Sequence, residues 1–368
     1  MAGALAFFPP DPPLYKFQRV KDGRDLPDDD DDNDDDNDAQ VEVIVDHDDD
    51  SDLDTFELDV TSSPSRSKKS QTSRQKQQPP PPSQDPIAAM TERATKLRAR
   101  AKHRAIADAN DAKNGVTYRF VPDIQTLGTL PSFHGEITAF KIGPQRKTKT
   151  YIAALLYKLP PNKITPSTKT ILYSHGNATD IGAMASLQAL IAKHCNCNVL
   201  VYDYSGYGES GGVLMEKNTY RDIKSVYEWT VKHVTQCEHN VLLYGQSVGS
   251  GPSCYLASRR EHVGGLILHS PFTSGMRVLT PSRALACLDI FPNIDRIQKV
   301  SCPVFIIHGK KDVEVPIEHG MALYANVPED CRREPWWVEN RGHNDICNNP
   351  VMLREYMKRL GRFVKSLE

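Results

Sequence analysis

The feature that most constrains this chain is a regular alternation of short apolar runs and helical stretches that begins at Tyr151. Several runs are almost unbroken in Val, Ile, Leu and Tyr, as in strands covered on both faces. The strand-like runs are Tyr151–Tyr157, Thr170–Tyr173, Asn198–Tyr202, Asn240–Tyr244, Gly265–Leu268, Val304–Ile307 and Pro335–Val338. The helical stretches are Ile181–His194, Thr219–His233, Val248–Arg260, Ile317–Asn326 and Pro350–Leu367. This alternation predicts an α/β fold with a mostly parallel, twisted sheet and helices on both faces.

The distribution of charge divides the 368 residues into three predicted parts. Residues 1–86 are expected to form a disordered tail, because residues 1–60 carry 21 acidic and only 4 basic side chains. Its last part, residues 61–86, is rich in Ser, Gln and Pro, which is typical of an extended linker. Residues 87–115 are basic and predict a helix or linker. Residues 116–368 are long enough to form one globular domain with a sizeable core.

The basic stretch 87–115 has two interpretations. It could be a surface helix that contacts an anionic membrane or an acidic partner. It could equally be a solvated helix, or a counter-charge to the acidic residues of the same chain. Its apolar positions form only a weak stripe, which favours the second interpretation. The basic residues are Arg93, Lys96, Arg98, Arg100, Lys102 and Arg104.

Composition argues against several classes of protein. Apolar runs such as Tyr151–Tyr157 are too short to span a membrane, and the first 15 residues lack the basic region of a secretory signal. The domain is too weakly basic to suggest nucleic acid as a partner. Cys195 and Cys197 have no second pair at ligand spacing, so we expect no metal and no cofactor. The irregular cysteine pattern predicts reduced thiols and a cytoplasmic location.

A nucleophile motif follows the predicted strand Asn240–Tyr244. The sequence Gly245-Gln246-Ser247-Val248-Gly249 is G-x-S-x-G, and it stands between a strand and a helix. In that setting the serine occupies a strained turn that exposes its hydroxyl at the top of the sheet. A structural turn is the alternative, since Gly and Ser are common in loops. The strand before the motif and the helix after it favour Ser247 as the nucleophile.

A serine nucleophile needs a base, and the base needs an orienting acid. Asp312 and His343 each follow a later predicted strand, in the Ser, Asp, His order of the α/β-hydrolase fold. Glu314 and Asp345 compete for the acidic role, and Asp312 is preferred because it lies closer to its strand end. Two further strand-end histidines, His269 and His308, are interpreted as packing or turn residues.

An oxyanion hole needs two hydrogen-bond donors. One is expected to be the backbone N–H of Val248, and the other the N–H of Asn177 or Ala178, in the loop that follows Thr170–Tyr173. His175 is expected to brace that loop. The glycine-rich stretch 203–212 lacks the spacing of a phosphate loop and is expected to be a tight turn. About 35 residues separate the runs ending at Leu268 and starting at Val304, too few for a large lid domain.

The sequence resembles the alpha/beta hydrolase domain-containing protein 17 family, from about Ser174 to Leu367. That resemblance implies removal of palmitate from protein cysteines, with Ser247, Asp312 and His343 as the triad and S-acylated proteins as substrates. The segment LAFFPPDP at 5–12 also resembles the family. The family's lipidated cysteine cluster precedes that segment, whereas the first cysteine here is Cys195, which leaves peripheral membrane attachment as a separate question. The matching motifs are SHGNATDIG, YDYSGYGESGG, LYGQSVGSGP, LHSPFTSGMRV, FPNIDRI, IIHGKKD and RGHNDI.

Two other functions remain open from the sequence. The same machinery could act on small-molecule or lipid esters as a carboxylesterase or lipase, because scattered side chains form the acyl pocket. Phe272, Met276 and Leu279 are candidates for that pocket, and core packing explains them equally well. A non-catalytic binding scaffold is the third hypothesis, and the complete triad argues against it.

Overall fold

The computed structural model describes residues 9–27, 86–128, 130–275 and 289–368, with the backbone alone for 86–94, 96 and 97. The chain divides into two compact units, one of Met1–Asp28 with Glu92–Glu368 and one of Asp29–Thr91. Residues 28–85, which include most of the predicted acidic tail and linker, lie outside the described residues.

Eleven strands of the described residues form one sheet, and eight helices accompany it. The strands are β1 Tyr15–Lys21, β2 Arg24–Asp25, β3 Thr117–Pro122, β4 Glu136–Ile142, β5 Ile152–Lys158, β6 Thr170–Ser174, β7 Asn198–Tyr202, β8 Val241–Gln246, β9 Gly265–His269, β10 Val304–Gly309 and β11 Trp336–Val338. The helices are α1 Pro86–Lys113, α2 Ile124–Leu127, α3 Ala185–Cys195, α4 Glu216–Thr230, α5 Ser250–Ala257, α6 Asn293–Arg296, α7 Ile317–Asn326 and α8 Pro350–Lys365.

The strand order across the sheet is β11-β10-β9-β8-β6-β7-β5-β4-β3-β1-β2. The six strands from β6 to β11 pair in parallel, and β5, β4, β3, β1 and β2 extend the sheet with antiparallel pairs. All seven predicted strands are present as β5 to β11, so the predicted fold class is confirmed. Because the carboxyl ends of parallel strands meet at one edge, the loops after β6 to β11 share that edge.

Two apolar clusters hold the helices against opposite faces of the sheet. One contains Leu172 and Leu243 from the sheet, and it packs against α4, α5 and α7. The other contains Ile171 and Val201, and it packs against α3 and α8. The central strands are buried on both faces because their side chains alternate between these two clusters.

The prediction that residues 1–86 form a disordered tail is wrong for residues 15–25, which contain β1 and β2. Strand β1 pairs antiparallel with β3, with Tyr15 opposite Pro122 and Phe17 opposite Phe120. Tyr15 and Phe17 are buried in the second apolar cluster. The average charge of residues 1–60 conceals this strand, in which apolar and polar residues alternate from Tyr15 to Gln18.

The basic stretch is helical, and its last turns belong to the same compact unit as the sheet. Asp111 accepts hydrogen bonds from Arg19 on β1, at 2.5 to 3.1 Å, and from the Tyr118 hydroxyl on β3 at 3.1 Å. Arg104 donates to the Gly208 carbonyl at 2.9 Å and forms an ion pair with Glu209. The predicted boundary at residue 116 therefore cuts through a packed structure. Composition changes at residue 116, but strand pairing and hydrogen bonds continue across it.

Within the described part of α1, and in the other helices that the structure describes, no span is both long and apolar enough to cross a bilayer. The connection between β9 and β10 covers residues 270–303 and contains the short helix α6. Residues 276–288 of that connection lie outside the described residues.

Candidate active site

Ser247 stands at a sharp turn between β8 and α5. Its φ of 51° places it in the left-handed region, which costs a residue with a side chain about 1–3 kcal/mol and persists where packing enforces it. A Cβ at Gly245 would lie 2.5 Å from the Gly249 carbonyl oxygen, and a Cβ at Gly249 would lie 2.1 Å from the Ser174 carbonyl oxygen. Both glycines of G-x-S-x-G are thus required by close backbone approach, and the turn holds the serine at the strand end.

The structure brings the three predicted triad residues together. Nε2 of His343 lies 2.9 Å from Oγ of Ser247, and Nδ1 of His343 lies 2.7 Å from Oδ2 of Asp312. Because a carboxylate only accepts, Nδ1 carries the ring proton, and Nε2 of the neutral ring is left to accept the serine proton. His343 and Asp312 are both buried. This is the hydrogen-bonded order that serine hydrolysis requires.

Asp312 also organises the loop that carries it. Its Oδ1 accepts the backbone N–H groups of Glu314 at 3.0 Å and Val315 at 2.8 Å, while Oδ2 faces His343. Burial alone would raise the pKa of Asp312. The hydrogen bonds from His308, His343 and the Val315 N–H outweigh burial and hold that pKa well below its usual range. The carboxylate therefore stays charged while it orients the histidine.

The two acidic competitors are engaged elsewhere. Glu314 Oε1 accepts a hydrogen bond from the Asn344 amide at 2.9 Å. Asp345 Oδ1 accepts the Gly342 N–H at 2.6 Å, and its other oxygen lies 3.8 Å from Arg341. The preference for Asp312 agrees with this geometry.

His308 has a larger part in the site than its interpretation as a packing residue suggests. It is fully buried, with Nε2 2.8 Å from the Val315 carbonyl oxygen and 3.3 Å from Asp312 Oδ2. Both neighbours accept, so Nε2 carries the proton and steadies the same carboxylate oxygen that faces His343. The signal in the sequence is the spacing of four residues between a buried strand-end histidine and Asp312.

His269, at the end of β9, is a packing residue as interpreted. Its Nδ1 lies 2.8 Å from the Tyr244 hydroxyl, which in turn lies 2.5 Å from the Tyr356 hydroxyl. Burial lowers the pKa of His269 to about 3, with a smaller contribution from the nearby His343. His269 is therefore neutral in the folded protein.

The loop after β6 lies beside the nucleophile turn, since Ser174 pairs with Gly245 across the sheet. The N–H of Ala178 donates to Oδ1 of Asn177 at 3.0 Å. This bond satisfies the Ala178 amide within the loop, so the structure does not support Ala178 as an oxyanion donor. Val248 is buried in the turn that precedes α5, and Val248 and Asn177 remain the predicted donors.

The glycine-rich stretch 203–212 forms a tight turn and supports this loop. Gly206, Gly208 and Gly212 have positive φ. The Tyr204 hydroxyl donates to the His175 carbonyl at 2.6 Å, and the Tyr207 hydroxyl donates to Asn177 Oδ1 at 2.8 Å. Sequence analysis expected the turn but missed both tyrosines, because their partners lie in another loop.

The predicted acyl pocket is only partly within the described residues. Phe272 is buried in the first apolar cluster, where its ring centroid lies 6.1 Å from that of Phe291. That position agrees with core packing. Met276 and Leu279 lie outside the described residues. In the part of the chain that the structure describes, no group of three or more His, Cys, Asp or Glu could hold a metal ion.

Comparison with known proteins places this geometry among hydrolases. A family model described as serine aminopeptidase, S33, matches residues 165–294, which include Ser247. Human alpha/beta hydrolase domain-containing protein 17B is 44% identical over 218 residues, which cover 58% of this chain and 71% of the relative. The mouse 17C protein is 44% identical over 204 residues, covering 55% and 62%. An esterase from Pyrococcus furiosus shares the fold with a TM-score of 0.52 at 16% identity, over 65% of this chain and 97% of that chain.

Proposed function

The chain belongs to the alpha/beta hydrolase domain-containing protein 17 family, a serine-hydrolase type of α/β hydrolase, and from that premise we propose that it removes palmitoyl groups from protein cysteines. The observation that carries the proposal is the hydrogen-bonded line from Ser247 through His343 to Asp312. The substrate class follows the activity that the sequence resemblance implies. The proposed substrates are S-acylated proteins.

The proposed reaction has two halves. Ser247 Oγ attacks the thioester carbonyl while its proton moves to Nε2 of His343, and the resulting oxyanion accepts hydrogen bonds from the Val248 and Asn177 amides. The C–S bond then breaks, the cysteine leaves as a thiol with the proton from His343, and an acyl-serine remains. Water, deprotonated by His343, attacks the acyl-serine and releases the fatty acid and free Ser247.

The leaving group distinguishes this reaction from amide hydrolysis. A cysteine thiol has a pKa of about 8.5, so its thiolate leaves with little help from an acid. The main barrier is then that of the attack step, in which the oxyanion forms and must be stabilised. A site that has a buried, charged Asp312 and a neutral His343 ready to accept a proton is suited to that step.

Matched substrates test the thioester proposal. We would compare one peptide acylated with palmitate on a cysteine, the same peptide acylated on a serine, and a palmitoyl glycerolipid. The proposal expects kcat/KM for the cysteine thioester to exceed both others by about 10-fold or more, a difference of about 1.4 kcal/mol in the barrier. A preference for the glycerolipid would instead identify a lipase, and a preference for the serine ester a carboxylesterase.

We also propose that α1 provides contact with anionic membrane surfaces, where acylated proteins lie. Arg98 and Lys102 are exposed on this helix. Full-length protein should bind vesicles containing phosphatidylserine at low salt, and Arg98→Ala with Lys102→Ala should weaken that binding. Equal binding by the double variant would remove α1 from this role and leave the solvated-helix interpretation.

A further inference from the structure

The N-terminal strand reaches the loops that support the nucleophile. Tyr15, at the start of β1, is 2% exposed, and its hydroxyl lies 2.5 Å from Oδ2 of Asp203. The same hydroxyl accepts the backbone N–H of Glu209 at 2.9 Å. A tyrosine hydroxyl has one proton, so this proton goes to the carboxylate while the lone pair receives the Glu209 amide. Tyr15 therefore connects β1 to the turn that follows β7, 188 positions later in the chain.

Asp203 extends that connection to the loop after β6, residues 175–182, which we call the oxyanion loop. Its second oxygen, Oδ1, accepts the Ile181 N–H at 3.1 Å. His175 lies beside this carboxylate: its Nδ1 donates to the Gly176 carbonyl oxygen at 2.8 Å, and its Nε2 lies 3.2 Å from Oδ1 without a hydrogen bond. Asp203 is fully buried, so its hydrogen bond to Ile181 is shielded from water. The line from Tyr15 therefore ends at Ile181, in the same loop as Asn177.

Close packing supports the same connection. The Leu14 N–H donates to Oδ2 of Asp180 at 2.7 Å, next to the Tyr15 contact. A Cβ at Gly182 would lie 2.8 Å from the Leu14 carbonyl oxygen, and a Cβ at Gly208 would lie 2.7 Å from the Tyr15 hydroxyl. The backbone of the N-terminal segment thus lies directly on the loop that runs from His175 to Gly182. On its other side this loop begins against Gly249 of the nucleophile turn.

From this arrangement we propose that Tyr15 is a positioning residue that holds the oxyanion loop in its catalytic place through Asp203 and the Ile181 N–H. The proposal rests on the proposed function, since it assigns a role to the loop that stabilises the oxyanion. Removing the hydroxyl leaves one oxygen of a buried carboxylate and the Glu209 N–H without their partner. The loop then has room to shift relative to Ser247. Removing an oxyanion donor outright lowers kcat by about 10²–10³-fold, so a displaced donor should have a smaller effect.

The test compares Tyr15→Phe with Tyr118→Phe in the full-length chain. Tyr118, on β3, also donates to a buried carboxylate, Asp111, at 3.1 Å, but this hydrogen bond leads to α1 and not to the oxyanion loop. The readouts are kcat and KM for p-nitrophenyl butyrate, the rate of fluorophosphonate labelling at Ser247, and Tm. We expect Tyr15→Phe to lower kcat and the labelling rate by about 10-fold with KM within 2-fold. Tyr118→Phe should leave all three kinetic values within 2-fold.

A second variant keeps the test informative if Tyr15→Phe does not fold. Asp203→Asn leaves one acceptor oxygen and turns the other into an NH2 donor, so it cannot accept from both the Tyr15 hydroxyl and the Ile181 N–H. It should therefore produce the same loss in kcat at constant KM. In the double variant the two losses should not multiply, because both break one connection. A lower Tm with unchanged kcat in both single variants would make Tyr15 purely structural and overturn the proposal.

The readouts separate this proposal from the proposed substrate. Neither the short ester nor the phosphonate depends on palmitoyl thioesters, so a chain that ignores thioesters but labels at Ser247 still yields the Tyr15 comparison. A wild-type chain that neither labels nor hydrolyses the ester would overturn both proposals.

Discussion

The charge on Asp312 is set by its neighbours and not by its exposure. Hydrogen bonds from two histidines and a backbone N–H lower its pKa below the ordinary value of 3.8. Because the folded pKa is the lower one, the stabilising effect of this group is present above the unfolded pKa. It is lost only as pH falls below that value toward the folded pKa. Across the neutral and mildly acidic range the carboxylate therefore stays charged and keeps its hydrogen bond with His343.

Replacing Asp312 by Asn should remove most of the activity while keeping the fold. The amide cannot stabilise the imidazolium, and it favours the wrong tautomer of His343, so kcat should fall by about 10⁴-fold. Glu314→Gln is the matched control, since this carboxylate lies two residues away and accepts a hydrogen bond from Asn344. Its kcat should stay within 2-fold. Comparable losses in both variants would show that the acidic member has been misassigned.

Histidine 269 should make the folded state sensitive to acid. Its pKa is about 3 in the folded protein against 6.5 when unfolded, so the unfolded state binds more protons between these values. Stability therefore falls as pH drops from 6.5, by about 2 kcal/mol between pH 7 and pH 5. His269→Gln should show a flatter pH dependence in urea unfolding, whereas His262→Gln, at an exposed position, should match the wild type. Identical slopes in all three would exclude this source of acid sensitivity.

The nucleophile turn is an element whose chemistry could be predicted from sequence alone. The serine has an uncommon backbone conformation, and each glycine of the motif removes a Cβ that would meet a carbonyl oxygen. The strand before it and the helix after it are equally clear in the sequence. That agreement among motif, strand and helix explains why Ser247 could be predicted from the sequence.

Gly249→Ala should disrupt this element. The new Cβ would lie 2.1 Å from the Ser174 carbonyl oxygen, so the turn and the loop after β6 must move apart. Overpacking of this kind costs about 1–3 kcal/mol of stability, and a displacement of about 1 Å at the reacting atoms lowers kcat about 100-fold. Gly211→Ala is the control, because its Cβ would meet Thr150 at an ordinary 3.5 Å. Retained kcat in Gly249→Ala would contradict the close approach between Gly249 and the Ser174 carbonyl oxygen.

Other elements escaped prediction because their partners are distant in sequence. The role of His308 depends on a hydrogen bond to Asp312 and on the Val315 carbonyl, which appear only once the loop after β10 has closed. Tyr204 and Tyr207 support a loop some 30 residues earlier. The Ala178 amide was a reasonable donor by position, but a side chain in its own loop satisfies it. Such details follow from loop conformation, which hydrophobic patterning does not encode.

At the scale of the whole molecule, the N-terminal residues complete the sheet. Strand β1 lies against β3, and Arg19 joins it to Asp111 near the end of α1. The parallel half of the sheet could be predicted because its strands are continuous apolar runs. Beyond β5, the antiparallel extension could not, because β1 to β4 are partly exposed and stand among charged or proline-rich residues.

Deleting residues 1–27 should therefore destabilise the domain. The deletion removes the buried side chains of Tyr15 and Phe17, worth about 1.5–3 kcal/mol each, and uncovers β3. We expect Tm to fall by on the order of 10 °C in thermal unfolding. Arg119→Ala should change Tm little, because its ion pair with Asp25 is more than half exposed on both sides. An unchanged Tm after the deletion would show that β1 adds nothing to the fold.

The central claim is that Ser247 hydrolyses acyl thioesters, and the most direct measurement is hydrolysis of a palmitoyl-cysteine peptide by the full-length chain beside Ser247→Ala. We expect steady hydrolysis by the wild type and loss to background in the variant, with fluorophosphonate labelling lost in parallel. Labelling of wild-type Ser247 without thioester hydrolysis would contradict the claimed substrate. A folded wild-type chain with neither labelling nor hydrolysis would contradict the enzyme itself and favour a non-catalytic binding scaffold.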